Sequence, residues 1–379
     1  MLGLSGLAEP SEVFHGILGI LSFRLFPFVA YVSIKGRYRW FTRCFAVLGY
    51  VAIVVLAART GPSSVPWLAL SYVYFCGAGW AAYELLPHVR SRMVWFLASA
   101  LLFLVVPSAL VRPPPMSFLA VGWEAMLKAY SYGVEARRPE DRTLPDFLFF
   151  LLVNPVLAYR RRGRPLPSSR PGPEGVVRFV WGVLVTLCAI GVLQPLHAQA
   201  AHRGPRALVV PWLFLLVVGA LRLLGEYAVQ SGVASIKIGV MRQLGYEVPE
   251  RFHYPLFARS PADFWRRWNT YVGDWARTYV FLPLMLGLSR RARTRDRRLP
   301  YAASIIVTLG AVGLLHDAYI VAADGRLRFP GTLWFVAVGV VVVAWEAVGS
   351  LLGESRVRTW LERVLFLVVA SYAATYLWW

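Results

Sequence analysis

Apolar residues in this chain come in long blocks separated by short polar or basic stretches. Blocks of spanning or near-spanning length run over 13–34, 40–58, 65–87, 92–111, 117–134, 176–198, 207–224, 299–322, 330–353 and 358–378. A segment in hydrocarbon has no water to satisfy its backbone, so it must be a helix or part of a closed barrel. No block shows the ten-residue alternation of a barrel strand, which leaves an all-α, polytopic transmembrane bundle of about ten spans. Two further apolar stretches, 144–159 and 261–288, are expected to enter the membrane without crossing it. The first carries Asn154 and Pro155 and ends in Arg160, Arg161 and Arg162; the second holds Arg266, Arg267, Asp274 and Arg277, too many charges for a free span.

A hydrophobic share of 58% and a mean hydropathy of +0.54 exceed what a soluble core needs, so the bilayer is the solvent. The net charge of +20 raises the question of nucleic acid, but the basic residues sit in short connections and build no domain to dock a duplex. The positive-inside rule accounts for them. Lys35 to Arg43, Arg90 to Arg92, Arg160 to Arg178, Arg290 to Arg298 and Arg356 to Arg363 are dense and go to the cytoplasm. Arg59, Arg112, Arg203 to Arg206 and Arg326 to Arg328 are sparser. This places both termini outside and requires the two interrupted stretches not to cross. The first span is too long for a signal core, so the N-terminus is expected to be retained.

Cys44, Cys76 and Cys188 lie in or at the ends of spans without metal-ligand spacing, so neither a disulfide framework nor a metal site is expected. With no internal repeat or dividing linker, 1–379 reads as one integral membrane domain: N-terminal spans in 1–116, a core in 117–322 and C-terminal spans in 323–379.

The most informative stretch is RSPADFWRRWNTYVGDWARTYVFLPL, from Arg259 to Leu284. Ser260, Pro261 and Asp263 supply an N-cap, a first-turn proline and an acidic third position, so a helix starts there. Continued at 100° per residue, it puts Trp265, Trp268, Asn269, Val272, Trp275 and Tyr279 on one face, with Arg266, Thr270, Asp274 and Arg277 on the other. Amphipathicity alone describes an in-plane helix at the headgroups. Asn269 does not fit that description, because an amide in an aromatic surface requires a partner or ligand. The aromatic stripe predicts an internal tunnel, lined by Trp265, Trp268, Val272, Trp275 and Tyr279, leading to the next span.

That span, 299–322, contains His316 in GAVGLLHDAYIV. A solitary intramembrane histidine is either bonded to a neighbouring helix or chemical. The other histidines lie near span ends, where water satisfies them. Glu124, Lys128, Arg222, Glu226, Lys237 and Glu346 also fall at or near membrane depth and must pair or line a wet cavity. No GxSxG elbow or glycine-rich phosphate loop is present, which removes support for hydrolase and P-loop chemistry.

From Gly225 to His316 these residues resemble the membrane-bound O-acyltransferase (MBOAT) family, most specifically in FWRRW and its flanks, and more weakly back to about Gly122. FLFFLLVNPVLAYRR, 147–161, looks like the family's short proline-containing segment. The resemblance implies His316 as the catalytic histidine and Asn269 as its polar partner. Asn at that position looks more like the sterol, diacylglycerol and wax-ester branches, whereas LGYEVPERFHYPLFARS looks more like the bacterial branch, so the acceptor stays open between lipid alcohol, glycan and other hydroxyls.

The expected activity is O-acyl transfer from a thioester, acyl-CoA or an acyl carrier protein, to a hydroxyl, with no metal or resident cofactor. His316 takes the acceptor proton, and Asn269 orients the reactants or donates to the oxyanion. Arg266 and Arg267 are candidates for drawing donor phosphates to the cytoplasmic mouth. The expected setting is a bacterial inner membrane, with lipids and the two substrates as partners. The alternatives are a transporter or flippase of a lipid or glycan precursor, for which internal pseudo-symmetry is missing, and a noncatalytic scaffold.

Overall fold

The computed structural model describes residues 64–110, 116–136, 142–159, 173–193, 195–196, 211–243, 246–292, 297–324 and 329–352. The spans expected over 13–34, 40–58 and 358–378, both termini and Cys44 lie outside the described residues. Among the described residues every regular element is a helix. These are α1 (Ser64–Leu85), α2 (Arg92–Ala100), α3 (Val106–Leu110), α4 (Met116–Glu135), α5 (Leu144–Leu152) and α6 (Pro173–Cys188). Then follow α7 (Pro211–Gln243), α8 (Pro261–Arg267), α9 (Thr270–Ala276), α10 (Leu282–Ala292), α11 (Arg298–Asp324) and α12 (Pro330–Leu352). Four stretches, Arg92–Ala109, Glu174–Leu193, Arg298–Ala318 and Pro330–Ala347, are long and apolar enough to cross a membrane. The chain is an integral membrane protein.

Three π-turns interrupt the described helices: Leu101–Val105 between α2 and α3, Ala189–Leu193 after α6, and Arg277–Phe281 between α9 and α10. Each opens six residues before a proline, respectively Pro107, Pro195 and Pro283. A helical proline has no N–H for the carbonyl four residues back and collides with it; widening the preceding turn relieves the collision. At Pro107 the carbonyl concerned is that of Phe103, and α4 packs on it through Gly122, where a Cβ would come within 2.2 Å of the Phe103 oxygen.

The core around α4 holds Phe75, Phe103, Tyr132, Phe147 and Trp275, all buried. Lys128 is 2% exposed and donates to the carbonyls of Leu151, at 3.1 Å, and Asn154. These are acceptors at the end of α5 and just beyond it, so the buried cation serves backbone that the helix leaves unsatisfied. At nine residues, α5 is too short to cross a bilayer. The irregular stretch after it is satisfied by Ser131, whose Oγ donates to the Leu157 carbonyl at 2.8 Å and accepts from Tyr159 N–H at 3.1 Å. Non-helical backbone is tolerated here because it is buried against α4.

One expectation is corrected. The block at 207–224 is not a helix of that length: α7 runs for 33 residues, about 50 Å, and carries Glu226 and Lys237 on the same rod. It continues past the apolar block because its far half packs on α6. Gly175, Gly182, Gly232 and Gly239 bring the two backbones so close that a Cβ at Gly239 would sit 2.5 Å from the Phe179 nitrogen.

Candidate functional site

The stretch after Arg259 starts as its sequence predicts. The Ser260 hydroxyl accepts from Asp263 N–H at 3.1 Å, and the Asp263 carboxylate accepts from Arg259 N–H at 2.9 Å, a reciprocal cap. Burial alone would push the Asp263 carboxyl up; the Arg259 N–H and the Arg267 and Arg266 guanidinium groups outweigh it and hold the pKa below its ordinary value.

The continuous helix expected over 261–288 is not formed. It breaks at Asn269, which is left-handed at φ 41° and ψ 62°, so α8 and α9 are separate helices and the single aromatic face does not exist. Asparagine tolerates this conformation better than most residues. Here the break is held from outside by the preceding loop. Arg251 Nε donates to Asn269 Oδ1 at 3.1 Å, and the Arg251 carbonyl accepts from Thr270 N–H at 2.8 Å. His253 N–H donates to the Arg267 carbonyl at 2.9 Å, and the Tyr271 hydroxyl to the Pro249 carbonyl at 2.6 Å. Two arginines anchor that loop in turn, Arg178 and Arg242, which both pair with Glu250.

The break divides the aromatic stripe. Trp265, Trp268, Asn269 and Val272 line a cavity of about 580 Å3 with residues of α11 and α12, among them Tyr301, Thr308, His316, Phe335 and Glu346. Trp275 and Tyr279 are not among its lining residues. The Trp275 indole N–H donates to the Leu127 carbonyl at 3.1 Å, and the Tyr279 hydroxyl to the Tyr159 carbonyl at 3.3 Å, both toward α4 and the α5 loop. Of the two donor-phosphate candidates, Arg266 lines the cavity and is largely exposed. Arg267 does not line it and is engaged by Asp263 at 2.9 Å. Arg293 and its neighbours to Asp296 lie outside the described residues.

His316 is half-buried in the cavity wall. Its Nδ1 lies 2.8 Å from the Val312 carbonyl. A carbonyl only accepts, so Nδ1 carries the proton in the neutral ring and the lone pair is on Nε2. The imidazole lies 5.0 Å from the Phe335 ring and 6.1 Å from Trp123. Asp317, its neighbour in sequence, is 1% exposed and does different work. Its carboxylate accepts from Gly331 N–H at 2.8 Å, Thr332 N–H at 2.7 Å and the Thr332 hydroxyl. It thus caps the orphan N–H groups of α12 from across the helix interface. Gly313 lets the backbones meet there: a Cβ on it would be 2.6 Å from Thr332 Cα. Cap and close approach together fix Phe335 beside His316.

Phe335, Trp123 and Arg251 were not singled out in the sequence. Phe335 and Trp123 are two aromatics among many in apolar spans and carry no local signal. For Asp317 a signal existed: an acidic residue near one span's end, followed by a Pro-Gly-Thr start whose amides need an acceptor.

No family model matches the chain. Curated relatives do. The chain is 27% identical over 210 residues, 51% of its length, to a protein of Azotobacter vinelandii named as a probable alginate O-acetylase, covering 39% of that relative. It is 27% identical over 205 residues to the protein of the same name from Pseudomonas aeruginosa, covering 37% of it. It is 28% identical over 67 residues, 18% of its length, to the teichoic acid D-alanyltransferase of Bacillus subtilis. The matches therefore span about two fifths of the length of either alginate O-acetylase. These relatives bear out the resemblance of the chain to the membrane-bound O-acyltransferase family.

Proposed function

We propose that this protein transfers a small acyl group from a thioester to a hydroxyl acceptor inside the cavity between α8–α9 and α11–α12. The observation that carries the reading is the state of His316: a half-buried imidazole in a cavity wall, its Nδ1–H committed to the Val312 carbonyl and Nε2 left as base. The relatives named for acetyl and D-alanyl transfer support it.

In the reaction Nε2 takes the proton as the acceptor oxygen attacks the thioester carbonyl carbon. The carbon–sulfur bond breaks, an ester forms, and the imidazolium returns the proton to the leaving thiolate. Asn269 lines the same cavity with Oδ1 held by Arg251, so its amide N–H groups are what it offers to the developing oxyanion. His316 lies four turns along α11 from Tyr301, about 22 Å. The thioester of acyl-CoA or an acyl carrier protein enters from the Tyr301 end, beside Arg297 and Arg298, where Arg266 and Arg277 meet its phosphates. On the positive-inside rule that end is cytoplasmic.

The test is mass spectrometry of purified protein incubated with acyl-CoA donors and a panel of lipid and glycan hydroxyls. An ester product that disappears in His316→Ala is expected. A folded protein that makes no ester from any donor, in the presence of every acceptor, would sink the reading in favour of transport.

A further inference from the structure

Where His316 lines the cavity, aromatic rings surround its imidazole. Phe335 is 7% exposed and lines the cavity with its ring 5.0 Å from the imidazole. It cannot swing aside. Trp265 packs on it at 5.5 Å and Trp334 at 4.7 Å, and Asp317 and Gly313 hold the α12 backbone beneath it. Trp123 closes a further side of the imidazole at 6.1 Å. A thioester carbonyl placed at Nε2 therefore has aromatic rings where a longer acyl tail would extend.

We propose that Phe335 sets the upper limit on acyl size, holding the site to short acyl groups. The inference rests on the acyltransferase reading above and adds to it the residue that selects the donor. A packed interior rejects an added methylene by about tenfold to a hundredfold, because neither the ring nor its backing can yield. Truncating Phe335 leaves a void that the backing Trp265 and Trp334 keep open, so the preference should shift toward longer chains and not merely weaken.

The experiment measures binding and turnover separately on detergent-purified protein with acetyl-, butyryl-, hexanoyl- and octanoyl-CoA. Binding is read as the rise in melting temperature with each donor, and turnover as thiol release in the presence of the hydroxyl panel. For the wild type, stabilisation and turnover should fall steeply beyond butyryl-CoA. Phe335→Ala should bind and turn over octanoyl-CoA at least tenfold better than wild type. Phe335→Leu, which keeps most of the packing, should reach an intermediate length and covers the case in which the alanine variant does not fold. Leu333→Ala, on the 71%-exposed side of the same helix, should leave the profile unchanged. Equal use of acetyl- and octanoyl-CoA by the wild type, or an unchanged profile in both Phe335 variants, overturns the assignment while leaving acyl transfer intact. Failure of every donor to bind or react overturns acyl transfer itself, and the size limit with it.

Discussion

Two helix pairs in this protein are joined by the same device and put to different uses. The α6–α7 pair and the α11–α12 pair both meet through glycines that bring backbones to within a Cβ of contact. This is the usual way to associate helices where lipid is as apolar as leucine. In α6–α7 the small residues recur along the interface, at Gly175 and Gly182 against Gly232 and Gly239, and Thr186 fills the remaining space. The far side of α6 presents Val177, Trp181, Leu184 and Leu187, all more than half exposed as on a lipid-facing surface. In α11–α12 the close approach leaves one flank carrying His316, Thr308, Phe335 and Val342, which faces the broken α8–α9 and bounds the cavity. Glycine packing supplies a rigid pair in both places; at α11–α12 that pair faces the broken α8–α9 across the cavity.

The sharpest way to break this contrast is at the imidazole. His316→Ala should lower turnover by about a hundredfold to ten-thousandfold, the worth of a positioned base, with the protein still eluting as a single species. Full activity in that folded variant would make α11–α12 as inert as α6–α7. Asn269 comes next. Asn269→Gly keeps the left-handed break and removes the amide, so a loss of about a hundredfold or more assigns the amide a role in the reaction. Turnover near wild type in the glycine variant alongside loss in Asn269→Ala would assign the effect to backbone geometry alone.

The glycine contacts allow a direct comparison. Gly313→Ala and Gly239→Ala each force a methyl against backbone and should each cost about 1–3 kcal/mol in stability, read from thermal or denaturant melts. Only Gly313→Ala should also reduce turnover, since only it disturbs the helix interface beside the His316 base. Asp317→Asn should cost about 1 kcal/mol and raise KM or lower kcat in step with any loosening of α12, because the neutral amide caps less well than the carboxylate.

The smallest effect concerns Asp263. Its pKa is lowered on folding, so its stabilising contribution is present above the ordinary carboxylate pKa of about 4 and is lost as pH falls through the folded value. The melting-temperature gap between wild type and Asp263→Asn should therefore be present at pH 6 and close as the pH is taken toward 3. A gap that widens with acid would contradict the arrangement around α8.

Membrane association, the all-helical class and most helix positions followed from the length of the apolar blocks, because a bilayer allows the backbone no other way to satisfy itself. The cap at Ser260 and Asp263, the interruption after α5 and the pairing of GLLHD with the FWRRW helix were also legible from local chemistry and resemblance. The break at Asn269 was not. An amphipathic period extrapolates through any residue that tolerates helix, and what stops the helix is Arg251, which is distant in the sequence periodicity and arrives by loop packing. For the same reason Trp275 and Tyr279 share a helical face with Trp268 on paper and face a different core in the molecule.

The sequence by itself thus determined the solvent, the helical class and the two chemical side chains worth testing, since hydrophobicity and residue type are local properties. Only the tertiary structure decided which groups meet: that Lys128 is consumed by the α5 carbonyls, that Asp317 caps α12 and does not serve the neighbouring histidine, and that Phe335 stands against His316. Those outcomes depend on how closely backbones approach and on which orphan donors and acceptors remain at helix ends. Both are set by contacts that the local pattern does not specify, and of these outcomes only the Asp317 cap left a local hint, in the Pro-Gly-Thr start that follows it.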